Sequence, residues 1–172
     1  PPVIFRDLKP ANIMVTPAGQ VKLIDFGIAR FFKAGQARDT QSLGTIGYVA
    51  PEVLGGQQSE ARSDIYSLCA TLLQLLTGID PGDYLGRDLP AARTLNPAVS
   101  VEMERLLQRG LQREKHLRFS NAAELRAHLG RLPAASGGGA GAGPLVKRTS
   151  RPTTRLILAA VQLSSGQLAA AL

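Results

Sequence analysis

Between Phe5 and Gly27 the sequence sets short apolar runs and charged residues so close together that few folds can accommodate the stretch. Val3 to Phe5, Ile13 to Val15 and Val21 to Ile24 are β-branched or aromatic runs of strand length. Thr16-Pro17-Ala18-Gly19-Gln20 supplies turn chemistry between the last two. The spacing predicts a hairpin with Asn12 at its entry and Asp25 at its exit, which brings both side chains to one end of a small ribbon. Two such oxygen donors suit Mg²⁺, which takes one or two protein oxygens and fills its octahedron with water and phosphate. Asp7 sits in the loop before the hairpin, where a carboxylate can accept a proton from a hydroxyl. Lys9 offers an ammonium to a phosphoryl group.

In order, Phe5-Arg6-Asp7-Leu8-Lys9-Pro10-Ala11-Asn12 and then Asp25-Phe26-Gly27 resemble the catalytic loop and metal-binding motif of the bacterial eukaryotic-like (Hanks-type) protein kinases. An isolated Asp-Phe-Gly is a weak signal; the ordered combination is specific. Lys9 in this context resembles the serine/threonine branch. The resemblance implies an α+β fold, a protein-kinase-like C-terminal lobe that is mainly α-helical, with a small β-hairpin at the catalytic cleft and the N-terminal lobe missing. It implies Asp7, Lys9 and Thr45 as catalytic residues, Asn12 and Asp25 as metal ligands for Mg²⁺ (or Mn²⁺), and ATP as co-substrate held by Lys9, Asn12, Met14 and Asp25. Met14 resembles the residue that packs under the adenine, and Thr45 the threonine that hydrogen-bonds the catalytic aspartate and lysine. Phe5 stands where a histidine is usual, and its ring is expected to pack against Phe26.

Ile28 to Ala50 shows little apolar periodicity and reads as a long polar loop. Its close, Gly44-Thr45-Ile46-Gly47-Tyr48-Val49-Ala50-Pro51-Glu52, is similar to the family's substrate-docking loop and Ala-Pro-Glu ending, so Asp25 to Glu52 resembles an activation segment. Thr40 and Ser42 fall where such loops are phosphorylated, and Arg6 and Arg30 are the candidates to receive the phosphate; ordinary loop hydroxyls are the alternative.

Ser63 is expected to cap a helix carrying Ile65, Leu68, Cys69, Leu72, Leu73, Leu75 and Leu76, with Asp64 in its first turn and Gly78 as its stop. Without a charge from Ile65 to Leu76, that helix should be buried. On periodicity Asp64 is an N-terminal helix acid; the resemblance implies that it braces the backbone of the catalytic loop. Cys69 reads as a small core residue. Ile79 to Pro97 predicts loops around at most one short helix. Ser100 should start a second amphipathic helix, and Asn121, with Glu124 in the capping-box position, a third. Between them the resemblance implies a buried ion pair of Arg118 with Glu52. His116 and His128 read as surface residues.

Composition divides the chain. Residues 133–172 carry Lys147, Arg148, Arg151 and Arg155 and no acid, four of the net +7. Residues 1–132 form the expected kinase lobe, 133–155 a Gly/Ala/Pro-rich and then basic linker, and 156–172 an apolar tail. The tail, basic on its near side and 17 residues long, reads as a weak amphipathic or disordered segment, its polar middle arguing against the alternative of a membrane anchor. One cysteine excludes an internal disulfide framework, and no Cys/His cluster suggests zinc. A cytoplasmic setting is the natural reading. No nucleic-acid partner is expected, since basic residues are not interleaved with aromatics.

The expected function is transfer of the ATP γ-phosphate to Ser or Thr hydroxyls of protein substrates in a complete enzyme. Neither a Gly-rich loop nor a strand lysine with its helix glutamate occurs in the 172 residues. The chain is therefore expected to be a fragment, inactive alone, with the missing N-terminal lobe as its partner and dimerisation as a route to trans-autophosphorylation. The competing reading is a non-catalytic kinase-like interaction module.

Overall fold

The computed structural model describes residues 3–18, 20–32, 35 and 44–132. Thr40, Ser42, the linker and the tail lie outside them, as does the side chain of Arg30.

The predicted hairpin forms. Strands β2 (Ile13–Val15) and β3 (Val21–Leu23) pair antiparallel, with Ile13 opposite Leu23 and Val15 opposite Val21. Thr16 closes the turn twice: its N–H donates to the Gln20 carbonyl at 2.8 Å and its Oγ1 accepts from the Gln20 N–H at 3.1 Å. Pleating then sends Val21 and Leu23 into the core and Lys22 to solvent. A second small sheet accompanies it: β1 (Val3–Ile4) pairs antiparallel with β4 (Arg30–Phe31). The polar loop expected from Ile28 onward therefore begins with a strand. Two residues are too few to show a period, and the strand is set by its partner.

Helix α1 (Pro51–Leu54) is a single turn with Pro51 at its start. It leads to α2 (Ala61–Thr77), the axis of the fold. Its cap is Glu60, not Ser63: the Glu60 side chain accepts from the Ser63 backbone N–H, and the Ser63 hydroxyl accepts from the Glu60 N–H at 3.2 Å. Ser63 thus serves from the third helical position, in a capping box whose residue types are exchanged. Gly78, in the left-handed region at φ 80°, ends the helix.

Ile79 to Pro97 holds two short helical pieces rather than one, a 3₁₀ turn over Pro81–Tyr84 and α3 (Ala92–Leu95). Helix α4 (Val101–Gly110) is capped by the Ser100 hydroxyl, and α5 (Ala122–Leu129) by the Asn121 side chain, as their sequences predict.

Around α2 gather α3, α4, α5, the hairpin and the loop after β1. Ile65, Leu68, Leu72 and Leu73 from α2 meet Leu106 and Leu107 from α4, Leu125 and Leu129 from α5, and Phe5 and Leu8 from the loop. Burying each such side chain contributes about 1.5–3 kcal/mol. Helices α2 and α4 meet tightly at Gly110, where an added Cβ would fall on Cys69 Sγ, 2.1 Å away. Cys69 is fully buried and burial pushes its thiol up to about 12, so it packs as a small apolar residue and does not react as a thiolate. Among the described residues no helix is long and apolar enough to cross a membrane.

Candidate active site

Elements distant in sequence converge on the loop between β1 and the hairpin. Arg6 there adopts φ 73° and Asp25, at the far end of the hairpin, φ 62°. Non-glycine residues rarely occupy this region, at a cost of order 1–3 kcal/mol each, and persist there only where the surroundings over-determine them. At Arg6 the surroundings are visible. The two oxygens of Asp64, in the first turn of α2, accept the Phe5 N–H at 2.7 Å and the Arg6 N–H at 2.9 Å. Burial pushes the Asp64 carboxyl up to about 6 against the pull of those two donors and of Arg6. From below, Thr71 of α2 donates to the Leu8 carbonyl at 3.3 Å. The ring of Phe5 meets Phe26 edge to face, with centroids 5.2 Å apart.

On this backbone Asp7, Lys9 and Thr45 form a closed triangle. Lys9 Nζ lies 2.8 Å from Asp7 Oδ2 and donates to Thr45 Oγ1 at 2.7 Å; the Thr45 hydroxyl donates to Asp7 Oδ1 at 2.8 Å. Asn12, buried in the 3₁₀ turn Pro10–Asn12, donates through Nδ2 to both the backbone oxygen and Oδ2 of Asp7, each at 2.9 Å. Burial tends to raise the Asp7 pKa, but the hydrogen bonds and charge of Lys9, with those of Thr45 and Asn12, outweigh it and hold the carboxyl below the usual value. Asp7 is thus a carboxylate fixed in position by three side chains.

The hairpin brings Asn12 and Asp25 to one end, since the Ile24 N–H donates to the Asn12 carbonyl at 2.9 Å. Asp25 is exposed, and its Oδ1 accepts the Gly27 N–H at 3.1 Å. A Cβ at Gly27 would come within 3.0 Å of that same oxygen, so the small residue keeps the carboxylate clear. With the Asn12 amide nitrogen committed to Asp7, its Oδ1 is the atom left for a cation. Oxygen donors from one carboxamide and one carboxylate match the donor chemistry of Mg²⁺ completed by phosphate oxygens. Among the described residues no group of three or more His, Cys, Asp or Glu side chains gathers to make an all-protein metal cage. Met14 lies beside this end on β2, opposite Lys22, and is 48 % exposed.

The segment that carries Thr45 is pinned between Thr45 and α1. At Gly47, φ 95°, an added Cβ would fall 2.4 Å from the Gly82 nitrogen, so this loop and the Pro81 turn touch backbone to backbone. Tyr48 donates to Gln74 Oε1 of α2 at 2.5 Å. Further along, Glu52 receives both Arg118 Nη1 at 2.9 Å and Nη2 at 2.8 Å, and Ser63 donates to it at 2.8 Å. Arg118 also donates to the carbonyls of Gln112, Arg62 and Arg113 and lies over the Tyr66 ring. Burial works to raise Glu52, but Arg118 prevails and holds it low.

Sequence reasoning missed Glu60, which caps α2 and pairs with Lys115 at 3.4 Å, and the Gly47–Gly82 contact; neither carries a motif. Arg6 is buried beside Asp64, and His116 is exposed, while His128 is half-buried with its ring against Phe119.

A family model described as the protein kinase domain matches residues 2–129. A probable serine/threonine-protein kinase of Streptomyces coelicolor is 35 % identical over 140 residues, covering 74 % of this chain and 21 % of that protein. Serine/threonine-protein kinase PknB of Mycobacterium leprae is 36 % identical over 143 residues, 76 % of this chain and 23 % of its own length. The probable PknB of Corynebacterium glutamicum is 34 % identical over 147 residues with the same coverage, 76 % and 23 %. The chain thus spans less than a quarter of the length of these relatives.

Proposed function

The chain belongs to the protein kinase domain family, in its bacterial Hanks-type serine/threonine branch, and we propose that it supplies the C-terminal catalytic lobe of an enzyme transferring the ATP γ-phosphate to Ser or Thr hydroxyls of proteins. The observation that carries this reading is the Asp7–Lys9–Thr45 triangle. An Asp7 carboxylate held by three side chains orients an incoming hydroxyl and takes its proton as the phosphoryl group arrives. Lys9, already beside Asp7, places its ammonium where negative charge accumulates on the transferring group. Thr45 ties the substrate-facing segment to both, so a correctly seated segment and a correctly aimed base come together.

Asn12 Oδ1 and the Asp25 carboxylate would hold Mg²⁺, which when bound neutralises charge on the ATP phosphates. Met14 offers an apolar contact for the adenine. The lobe works with a phosphate-covering lobe that carries a Gly-rich loop and strand lysine, neither of which occurs within these residues. Phosphorylation at Thr40 or Ser42 would deliver about two negative charges to Arg6 and Arg30 and set the segment for catalysis.

The test is phosphotransfer from labelled ATP to a serine/threonine peptide by the lobe joined to such a partner lobe. Asp7→Asn is expected to lower kcat about 10²–10⁴-fold with the fold intact by circular dichroism. Unchanged kcat in that variant would overturn the reading.

A further inference from the structure

Away from the Asp7 triangle, α1, α2, α4 and the stretch between the 3₁₀ turn and α3 enclose a cavity of about 560 Å³. Asp7, Lys9, Asn12 and Asp25 lie outside its lining. Its size is that of a small-molecule site, about 300–1,000 Å³. Leu73 and Leu107 line it from the core, and Leu54 and Leu85, 49 % and 52 % exposed, line it toward solvent. Tyr66 of α2 lines it too, and among the described residues the half-buried phenol makes no hydrogen bond. Burial pushes that phenol's pKa up against the charges of Arg118 and Arg113, so Arg113, also in the lining, lies within electrostatic reach of the ring. Arg118 is committed to Glu52 and to carbonyls, one of them that of Arg113, which fixes the Arg113 backbone at 3.0 Å. The Arg113 side chain is held far less: Nη1 lies 3.6 Å from Asp88, and the two side chains are 65 % and 91 % exposed. A pair so long and so exposed is weak and readily exchanged. The other acids of the lining are engaged, Glu104 accepting the Arg93 N–H at 2.8 Å and Glu114 lying 3.8 Å from His116 Nδ1.

We propose that this cavity binds a small carboxylic acid with an apolar body. The carboxylate accepts from the Tyr66 hydroxyl and from the Arg113 guanidinium, displacing Asp88, and the apolar body lies along Leu54, Leu73 and Leu85. The donors select the class. A phenol without a partner and a guanidinium with a weak one both offer protons, and one carboxylate accepts from both. A cationic ligand would set its charge beside Arg113 and beside Arg87, which is steadied in the same lining by the Asp83 carbonyl at 2.6 Å and the Tyr84 ring. A wholly polar anion would leave Leu54 and Leu85 in water, whereas an apolar body covers them. Gly47 and Val49 form part of the wall, so the occupant rests against the segment that carries Thr45, on a side remote from Asp7. Binding there requires neither ATP nor phosphotransfer.

The test titrates octanoate, octanol and octylammonium, which share one apolar body, into the isotope-labelled 172-residue chain and follows its amide resonances. Octanoate is expected to shift the Gly47, Val49 and Leu89 amides saturably and to bind about tenfold more tightly than octanol, with octylammonium weaker still. Arg113→Gln, at an exposed side chain, should weaken octanoate about tenfold and leave octanol unchanged. Tyr66→Phe, which removes the hydroxyl and keeps the ring, should weaken octanoate by a similar factor. Leu85→Ser should weaken all three ligands. Equal affinity for the three would overturn the assignment of a carboxylate, as would octanoate binding that neither Arg113→Gln nor Tyr66→Phe alters. Shifts centred on Met14 and Phe26 instead, or no saturable shift at millimolar octanoate, would overturn the site itself.

Discussion

Two parts of the cleft are built in opposite ways. The loop that carries Asp7 and the segment leading to α1 are held from inside the core: Asp64 grips the loop backbone, Thr45 bridges to Asp7 and Lys9, and Glu52 is locked to an Arg118 that is 1 % exposed. The hairpin side is open. Met14, Val15, Phe26 and Phe31 are all between 44 % and 48 % exposed, and the Asp25 carboxylate stands in solvent. The groups assigned to proton transfer are preorganised by the core, whereas those assigned to nucleotide and metal face outward.

The braced side should be the costly one to break. Arg118→Ala is expected to destabilise the lobe most, by about 3–5 kcal/mol, because it strands the buried Glu52 carboxylate and three carbonyls; urea denaturation of the variant measures it. Acid attacks the same pair without mutation. Glu52 has a folded pKa below its ordinary 4.5, so the unfolded state takes up its proton first. Its contribution is complete above about pH 4.5 and is lost as pH falls through the depressed folded value, while Glu52→Gln should flatten this part of the stability profile.

A smaller effect is expected at the α2–α4 contact. Gly110→Ala drives a methyl into Cys69 Sγ and should cost about 1–3 kcal/mol. Cys69→Ala in the same chain should recover part of that loss, and additive effects in the double-mutant cycle would show that the helices separate instead. The open side supplies the smallest change: Met14→Ala should alter stability by less than about 0.5 kcal/mol. A loss above 1 kcal/mol in a melt of the 172-residue chain would mean that the hairpin face is already packed, and the contrast between the two sides would fail.

How much of this was legible in the sequence follows the range of each interaction. The hairpin, the caps Ser100 and Asn121, and the stop at Gly78 rest on contacts a few residues long and could be read directly. The resemblance carried the longer ones, Glu52 with Arg118 and Asp64 with the loop, which lie 66 and 58–59 residues apart and leave no local pattern. The β1–β4 pairing, the Gly47–Gly82 approach and the φ values of Arg6 and Asp25 were not legible, being imposed on short segments by what packs against them. Glu60 escaped for another reason. Glutamate is seldom a helix cap, and here the usual residues of the box are exchanged with Ser63.

The Asp64 clasp also sets an order of events for a nascent chain. Phe5 and Arg6 leave the ribosome 59 and 58 residues before the acceptor that holds them. At about 5–20 residues per second, synthesis of that interval takes roughly 3–12 s. Until then nothing in the clasp can maintain the left-handed backbone at Arg6, and Asp7 is not aimed. The loop that carries Asp7, made well before its clasp, therefore matures only once α2 has begun to form.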